Sequence, residues 1–311
     1  MLTSAILCLA LSAVSADGVK VSERFGYDPE DSTRFLQEAF DSGLPKIVID
    51  RQVGPWYTMP LKGASNQIVV FEPGAEIVAK RGAYHATGDK LLSYACASNV
   101  TLSGHGGAIR MWKSDYTNAA LYAWSEWRHA ISMRSCRDMT IEGLTVASSG
   151  GDGLYLGQDA SGEPNRGIVL RDAKFLDNNR QGVSVITADG LLIENCDLSG
   201  TWGTKPAAGI DFEPNNPKQS LKGIRVRNCR IENNQGCGLD FAKWNLDATS
   251  EPMEILIDSC RLLGNGRKVN LCPATNPYRD VGGRVGFVNC ELLDSDQTPD
   301  GLRNISGRYS A

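Results

Sequence analysis

Between residues 139 and 290 the chain repeats itself. Short runs of alternating apolar residues recur at 153–157, 182–186, 209–213, 238–242 and 268–272. About half a unit before each stands a second run, as at 223–231 and 254–262. Aligning the second runs puts Leu144, Ala173, Cys196, Cys229, Cys260 and Cys290 in one register, at successive intervals of 29, 23, 33, 31 and 30 residues. A period of this size means stacked supersecondary units, each burying its apolar side against its neighbours.

Within each unit the apolar residues fall at every second position, which is the period of a strand. Units this short have no room for a crossover helix, so equivalent strands must stack turn upon turn as a parallel β-helix. Leu154, Val183, Ile210, Leu239 and Val269 then form one inward row, and Leu156, Val185, Phe212, Phe241 and Leu271 the next. Ile141, Leu170, Ile193, Val226, Ile257 and Phe287 form an inward row on the second run. Gly143, Asp172, Asn195, Asn228, Ser259 and Asn289 stand just before the aligned register. Gly, Asn and Asp tolerate left-handed backbone, so a tight bend is expected there in every turn, with stacked amides able to bond along the axis.

Several stretches resemble the right-handed parallel β-helix proteins of the pectin-lyase-like superfamily, both polygalacturonase-like and polysaccharide-lyase-like. These are residues 31–43, 99–107, 126–129 (Glu-Trp-Arg-His) and 149–155 (Ser-Gly-Gly-Asp-Gly-Leu-Tyr). The resemblance covers nearly all of the chain after its first residues. It implies an all-β solenoid with an N-terminal capping helix, acting on polysaccharide. Asp152 resembles the acidic turn of polygalacturonase-like hydrolases. Their paired Asp-Asp on the following turn is replaced here by Arg180-Gln181-Gly182, their Ser-His-Gly by Ala207-Ala208-Gly209, and their basic Arg-Ile-Lys by Asp240-Phe241-Ala242 before Lys243. An ordinary polygalacturonase is therefore not expected.

A solenoid of 311 residues can be one domain, and 17–311 are read as such. Residues 1–16 read as a secretory signal: the apolar stretch 5–14 is too short to span a bilayer, and Val14-Ser15-Ala16 suits cleavage. The mature protein is expected to be secreted, extracellular and free of the membrane. The formal net charge of −4, with no basic run among aromatics, argues against nucleic acid. Cys8 lies in the signal, and eight cysteines remain. Those at 196, 229, 260 and 290 would point the same way from stacked strands, which suits a buried thiol ladder better than disulfides. Three histidines and no Cys–His spacing give no zinc motif. Asn99 and Asn304 head glycosylation sequons.

The amphipathic segment 31–42 is expected to cap the open N-terminal end. Asp31 or Ser32 would start it, Phe35, Leu36, Ala39 and Phe40 would share its apolar face, and Gly43 would stop it. Residues 108–126 break the rhythm with Met111, Trp112, Tyr116, Tyr122 and Trp124. They form either one wall of a groove or an aromatic patch over the core. The loops after the Gly-led strands vary in length; before those strands only 199–208 is long.

The outward row of the Gly-led strands reads Ser132, Tyr155, Ser184, Asp211, Asp240, Asn270. Stacked strands lie about 4.8 Å apart, so Asp211 and Asp240 are direct neighbours, with Glu213 roughly 6.6 Å from Asp211 along its strand. Crowded carboxylates raise at least one pKa and call for a task, a proton or a cation. Three readings follow. In the first, Asp211 and Asp240 serve a glycoside hydrolase as acid and as nucleophile or base, with Asp152 and Glu213 as a second acid or as tuners. In the second, the cluster holds Ca²⁺ in a polysaccharide lyase, with Lys243, Lys268 or Arg134 nearby. Or it is a solvated face on a non-catalytic, glycan-binding solenoid. His129 is a candidate proton carrier or substrate contact, and Tyr155 and Arg134 candidate contacts. Trp202 and Trp244 flank the acidic strands, where indole faces could stack on sugar rings. An adjacent acid pair suits a retaining hydrolase; Asp152, two turns from Asp211, would suit an inverting one.

Overall fold

The computed structural model describes residues 18–271 and 282–292. The expected leader, Cys272 and the Asn304 sequon lie outside them. Three wholly parallel sheets of ten, eight and nine strands surround one apolar core. Neighbouring strands in each sheet come from successive turns, so the chain is a parallel β-helix. One turn supplies Asn165–Arg171, Lys174–Leu176 and Gln181–Val185, one strand to each sheet.

The residues of the expected inward rows are in register from turn to turn. Leu154, Val183, Ile210, Leu239 and Val269 pair in sequence, as do Leu156, Val185, Phe212, Phe241 and Leu271. So do Ile141, Leu170, Ile193, Val226, Ile257 and Phe287. The second sequence run differs from expectation: it is two strands, not one. Its break is the bend, where Gly143, Asp172, Asn195, Asn228, Ser259 and Asn289 all have φ between 52° and 62°. That left-handed residue turns the chain, so the three residues after it join a third sheet. Asn195 Nδ2 donates to Asp172 Oδ1 of the preceding turn at 3.2 Å.

A second left-handed bend, at Ser148, Asp177, Gly200, Asn233 and Gly264, leads from the short third strand into the eight-stranded sheet. Its intervals are again 29, 23, 33 and 31 residues, so the same alignment contained it. Beside it runs a ladder of buried amides. Asn178, Asn234 and Asn265 each accept, through Oδ1, the backbone N–H of Ser149, Thr201 and Asn234 one turn back, at 3.2, 3.0 and 3.1 Å. The thiols stack too. Cys229, Cys260 and Cys290 are free, and each Sγ donates to a carbonyl of the previous turn, at Ile193, Val226 and Ile257.

The helix Thr33–Asp41 buries Leu36, Ala39 and Phe40 against the first turns, leaving Phe35 half-buried. Asp31 Oδ1 accepts the Thr33 N–H at 3.0 Å, and Gly43 has φ 70° just past its end.

The inward rows make a direct test. Val183→Asp or Phe212→Asp would bury an unpaired charge in the core, at a cost of several kcal/mol. Either variant is expected to be insoluble or to melt far below the wild type; an unchanged melting temperature would refute the strand phase.

Candidate functional site

The eight-stranded sheet carries the site on its outer face. Register places Ser132, Tyr155, Ser184, Asp211, Asp240 and Asn270 in one column, one residue per turn. A cleft of about 710 Å³ opens over its far half, lined by Asp211, Asp240, Glu213, Arg180, Lys205 and Trp244 among others. The loop before Ala208–Phe212 forms one side. Pro206 lies so close to Gly236 on the next turn that a Cβ there would meet the Pro206 carbonyl oxygen at 1.6 Å, so only glycine fits.

Asp211 is fully buried although its strand face points away from the core. Gln181 Nε2 donates to its Oδ2, while Oδ1 has no hydrogen-bond partner. Burial holds its pKa well above the carboxylate range, and the charges of Glu213 and Asp240 push the same way. Asp240 is also raised, first by burial and further by Glu213, but Asn270 Nδ2 donates to its Oδ1 at 2.9 Å and opposes the shift. The two neighbours thus sit in different environments, one without a donor on Oδ1, the other held by an amide.

Arg180, to which the sequence reading gave no role, organises the rest. Its guanidinium lies 2.8 Å from Glu213 Oε2, 3.1 Å from Glu126 Oε2 and 3.9 Å from Asp152 Oδ1. It replaces the paired acids of the resembling hydrolases and supplies positive charge among the carboxylates. A basic residue among several outward acids was the available signal.

Asp152 was expected at the lip of the strand surface; it is instead wholly buried and does not line the cleft. Its backbone N–H donates to His129 Nδ1 at 3.0 Å, and its Oδ2 lies 3.2 Å from the same nitrogen. Burial raises its pKa to about 8 despite Arg180. His129, expected as a proton carrier or substrate contact, is 2 % exposed and, unlike Asp211, does not line the cleft. Burial, with Lys90 and Arg180 nearby, keeps it neutral by lowering its pKa well below 6.5. Tyr155 stacks on the His129 ring, centroids 4.7 Å apart, and its own ring covers Gly157.

Of the other candidates, Trp244 lines the cleft and is 46 % exposed. Arg134 does not; its Nε donates to Gln158 O two turns from the acids. Lys243 is half-buried and does not line it either. Trp202 faces a neighbouring pocket. Lys205, Gln181 and Arg267, not singled out from sequence, do surround the acidic pair. Among the described residues, no group of three His, Cys, Asp or Glu side chains is placed to hold a metal ion.

Segment 108–126 combines both roles weighed for it. Tyr116 and Tyr122 are buried in the core cluster, while Trp124 is 68 % exposed. Arg128, fully buried, ties the segment down by donating to the carbonyls of Tyr84, His85 and Ala123.

Residues 107–271 match a family model described as a right-handed β-helix region. The chain belongs to this right-handed β-helix family. No curated protein sequence matches it. Among solved structures, this β-helix is similar to a 1,3-α-1,4-β-D-galactose-4-sulfate-3,6-anhydro-D-galactose-2-sulfate 4 galactohydrolase, at 12 % identity and TM-score 0.59, covering 94 % of each chain. It is also similar to PfbA, a surface adhesin of Streptococcus pneumoniae, at 10 % identity and TM-score 0.61, covering 88 % of this chain and 78 % of that one. A family 28 exopolygalacturonase of Yersinia enterocolitica aligns at 12 % identity and TM-score 0.55, over 88 % and 64 % of the two chains. At such identities the likeness is one of fold.

The buried acids of this β-helix predict a pH dependence. Asp152, Asp211 and Asp240 all hold a proton more tightly folded than unfolded. Their stabilising contribution is complete below the unfolded carboxylate pKa and is lost as pH rises through the folded value, for Asp152 between 3.8 and about 8. The melting temperature should therefore fall across that window, and Asp152→Asn should flatten the fall. Melts from pH 4 to 9 check this; a variant with the wild-type slope would remove Asp152 from the account.

Proposed function

We propose that this protein is a secreted, carbohydrate-active enzyme, a glycoside hydrolase in which Asp211 and Asp240 are the catalytic pair and a polysaccharide occupies the cleft. The observation that carries it is the placement of two register neighbours with raised pKa values at one cleft, in environments that separate their roles. Fold neighbours named as hydrolases of galactan-type and galacturonan-type polymers support the substrate class.

Asp211 is the general acid. Gln181 occupies its Oδ2 as donor, so the proton resides on Oδ1, which has no other partner. It passes to the glycosidic oxygen as the bond to the anomeric carbon breaks. Asp240, its Oδ1 held by Asn270, is the carboxylate that attacks the anomeric carbon. Stacked strands set the two α-carbons about 4.8 Å apart, and parallel side chains keep the carboxyls near the roughly 5–5.5 Å of retaining enzymes. In the second step Asp211, now ionised, takes a proton from the water that releases the sugar from Asp240. Glu213, paired with Arg180, tunes both acids rather than reacting.

A Ca²⁺-assisted lyase remains the second reading, since uronate polymers would suit the basic side chains of Lys205 and Arg267 at the cleft. Against it, Arg180 already provides the cationic partner of Glu213. A non-catalytic glycan-binding solenoid is the third, and the adhesin among the fold neighbours favours it.

Incubation with a panel of polysaccharides, with products analysed by mass, separates the three: water-added fragments, unsaturated uronates, or binding without turnover. Asp211→Asn and Asp240→Asn should each lower turnover by about 10²–10⁴-fold with the fold intact, and chelator should change little. Retention of more than about a tenth of wild-type turnover by either variant misplaces the site, since acid–base groups contribute far more. Chelator-sensitive release of unsaturated product would instead establish the lyase.

A further inference from the structure

Beside the acidic cleft lies a second pocket of about 370 Å³, between segment 108–126 and the loop before Ala208–Phe212. The two share one residue, Gly203. Lys205, Pro206 and Ala207 of that loop face the acids, while Trp202 and Thr204 face the second pocket. A ligand chain long enough to cross Gly203 would occupy both.

The second pocket differs in character. Trp124 and Trp202 line it, with 68 % and 50 % of their surfaces exposed. Two exposed indoles around one concavity are apolar area that a ligand would cover. The remaining lining carries no charge and includes the polar side chains of Tyr116, Ser125, Asn179 and Thr204. Tyr116 Oη and the Asn179 Oδ1 are buried without hydrogen-bond partners, although Asn179 is only 3 % exposed. An unmet buried polar atom is unfavourable, and a hydroxyl-rich ligand is a natural partner.

Trp202 is also held in place. Lys113 Nζ sits 3.9 Å from the centroid of its ring, and Lys113, almost wholly buried, is ion-paired to Asp177. The same carboxylate accepts the Trp202 Nε1–H at 2.9 Å. The loop around it is fixed by Gly203 N–H to Gln235 Oε1 at 3.0 Å and Asn179 Nδ2 to Thr204 Oγ1 at 3.1 Å. With Lys113 over the indole, Trp202 still lines the pocket with half of its surface exposed. A surface tryptophan whose orientation is set by a buried cation and a carboxylate is pre-organised, which lowers the entropy lost on binding.

We propose that this pocket is a distinct subsite for an uncharged pyranose unit of the glycan, across Gly203 from the bond at Asp211 and Asp240. A sugar ring offers apolar C–H groups to the indoles and hydroxyls to the rim. A uronate or sulfated unit would find no lining cation here. The proposal rests on the reading of the protein as glycan-acting.

The test is binding, which does not depend on turnover. The Asp211→Asn/Asp240→Asn protein is titrated with hexamers of glucose, mannose and galactose, and with hexagalacturonate, by tryptophan fluorescence and calorimetry. At least one neutral hexamer is expected to bind, and Trp124→Ala and Trp202→Ala to weaken it roughly tenfold each, as loss of an aromatic stacking partner does. Trp124 is 68 % exposed, so Trp124→Ala should melt as the parent does; Trp202→Ala also loses its contacts with Lys113 and Asp177, so its binding is measured well below its own melting temperature. The subsite is overturned if no neutral hexamer binds, if both alanine variants bind as tightly as the parent, or if only hexagalacturonate depends on the tryptophans. Failure of the hydrolase reading appears separately, as absence of cleavage by the wild-type protein on the polysaccharide panel.

Discussion

Turn-to-turn hydrogen bonding is the constraint on which everything else depends. In a parallel coil each strand bonds only to its equivalents above and below, so every turn must present its backbone at the same height and angle as the last. Two left-handed bends per turn achieve this, at positions such as Asn195 and Asn233. Peptide groups at the second bend cannot join a sheet, and the amides of Asn178, Asn234 and Asn265 accept their N–H groups instead. The bends fix the axis, and the axis fixes the spacing of everything displayed on the outer face.

That display explains the site. A column with one residue per turn brings Asp211 and Asp240 together although 29 residues separate them in sequence. The scaffold does not need to discover this contact; strand spacing imposes it. Arg180 then reaches over the column from the preceding turn, bonding Glu213 and approaching Asp152, so the acids share a charge balance rather than three independent repulsions. Like charges that would oppose folding are tolerated because burial keeps some of them protonated and a guanidinium offsets the rest.

Much of this was legible in the sequence, and the limits have physical causes. Inward rows such as Leu154–Val183–Ile210 follow from period-two patterning and a constant turn length, so register carried them. The first bend was legible because only Gly, Asn, Asp or Ser stands there. The third sheet was not, since its three-residue strands are shorter than any periodicity can reveal. Depth was the other failure. Asp152 and His129 read as surface residues by strand phase, but they are buried against each other, and nothing in a local pattern tells how the irregular segment that ends at His129 comes to rest. Arg180 escaped notice because a long side chain acts a turn away from its own position.

The loop that carries Trp202 and Lys205 hangs from a bend whose backbone obligations are met by the Asn234 amide of the next turn. Its anchorage is therefore independent of its length. Between that bend and the close contact of Pro206 with Gly236 the connection can change length without moving the rungs, so a coil of this kind can vary one loop at a time.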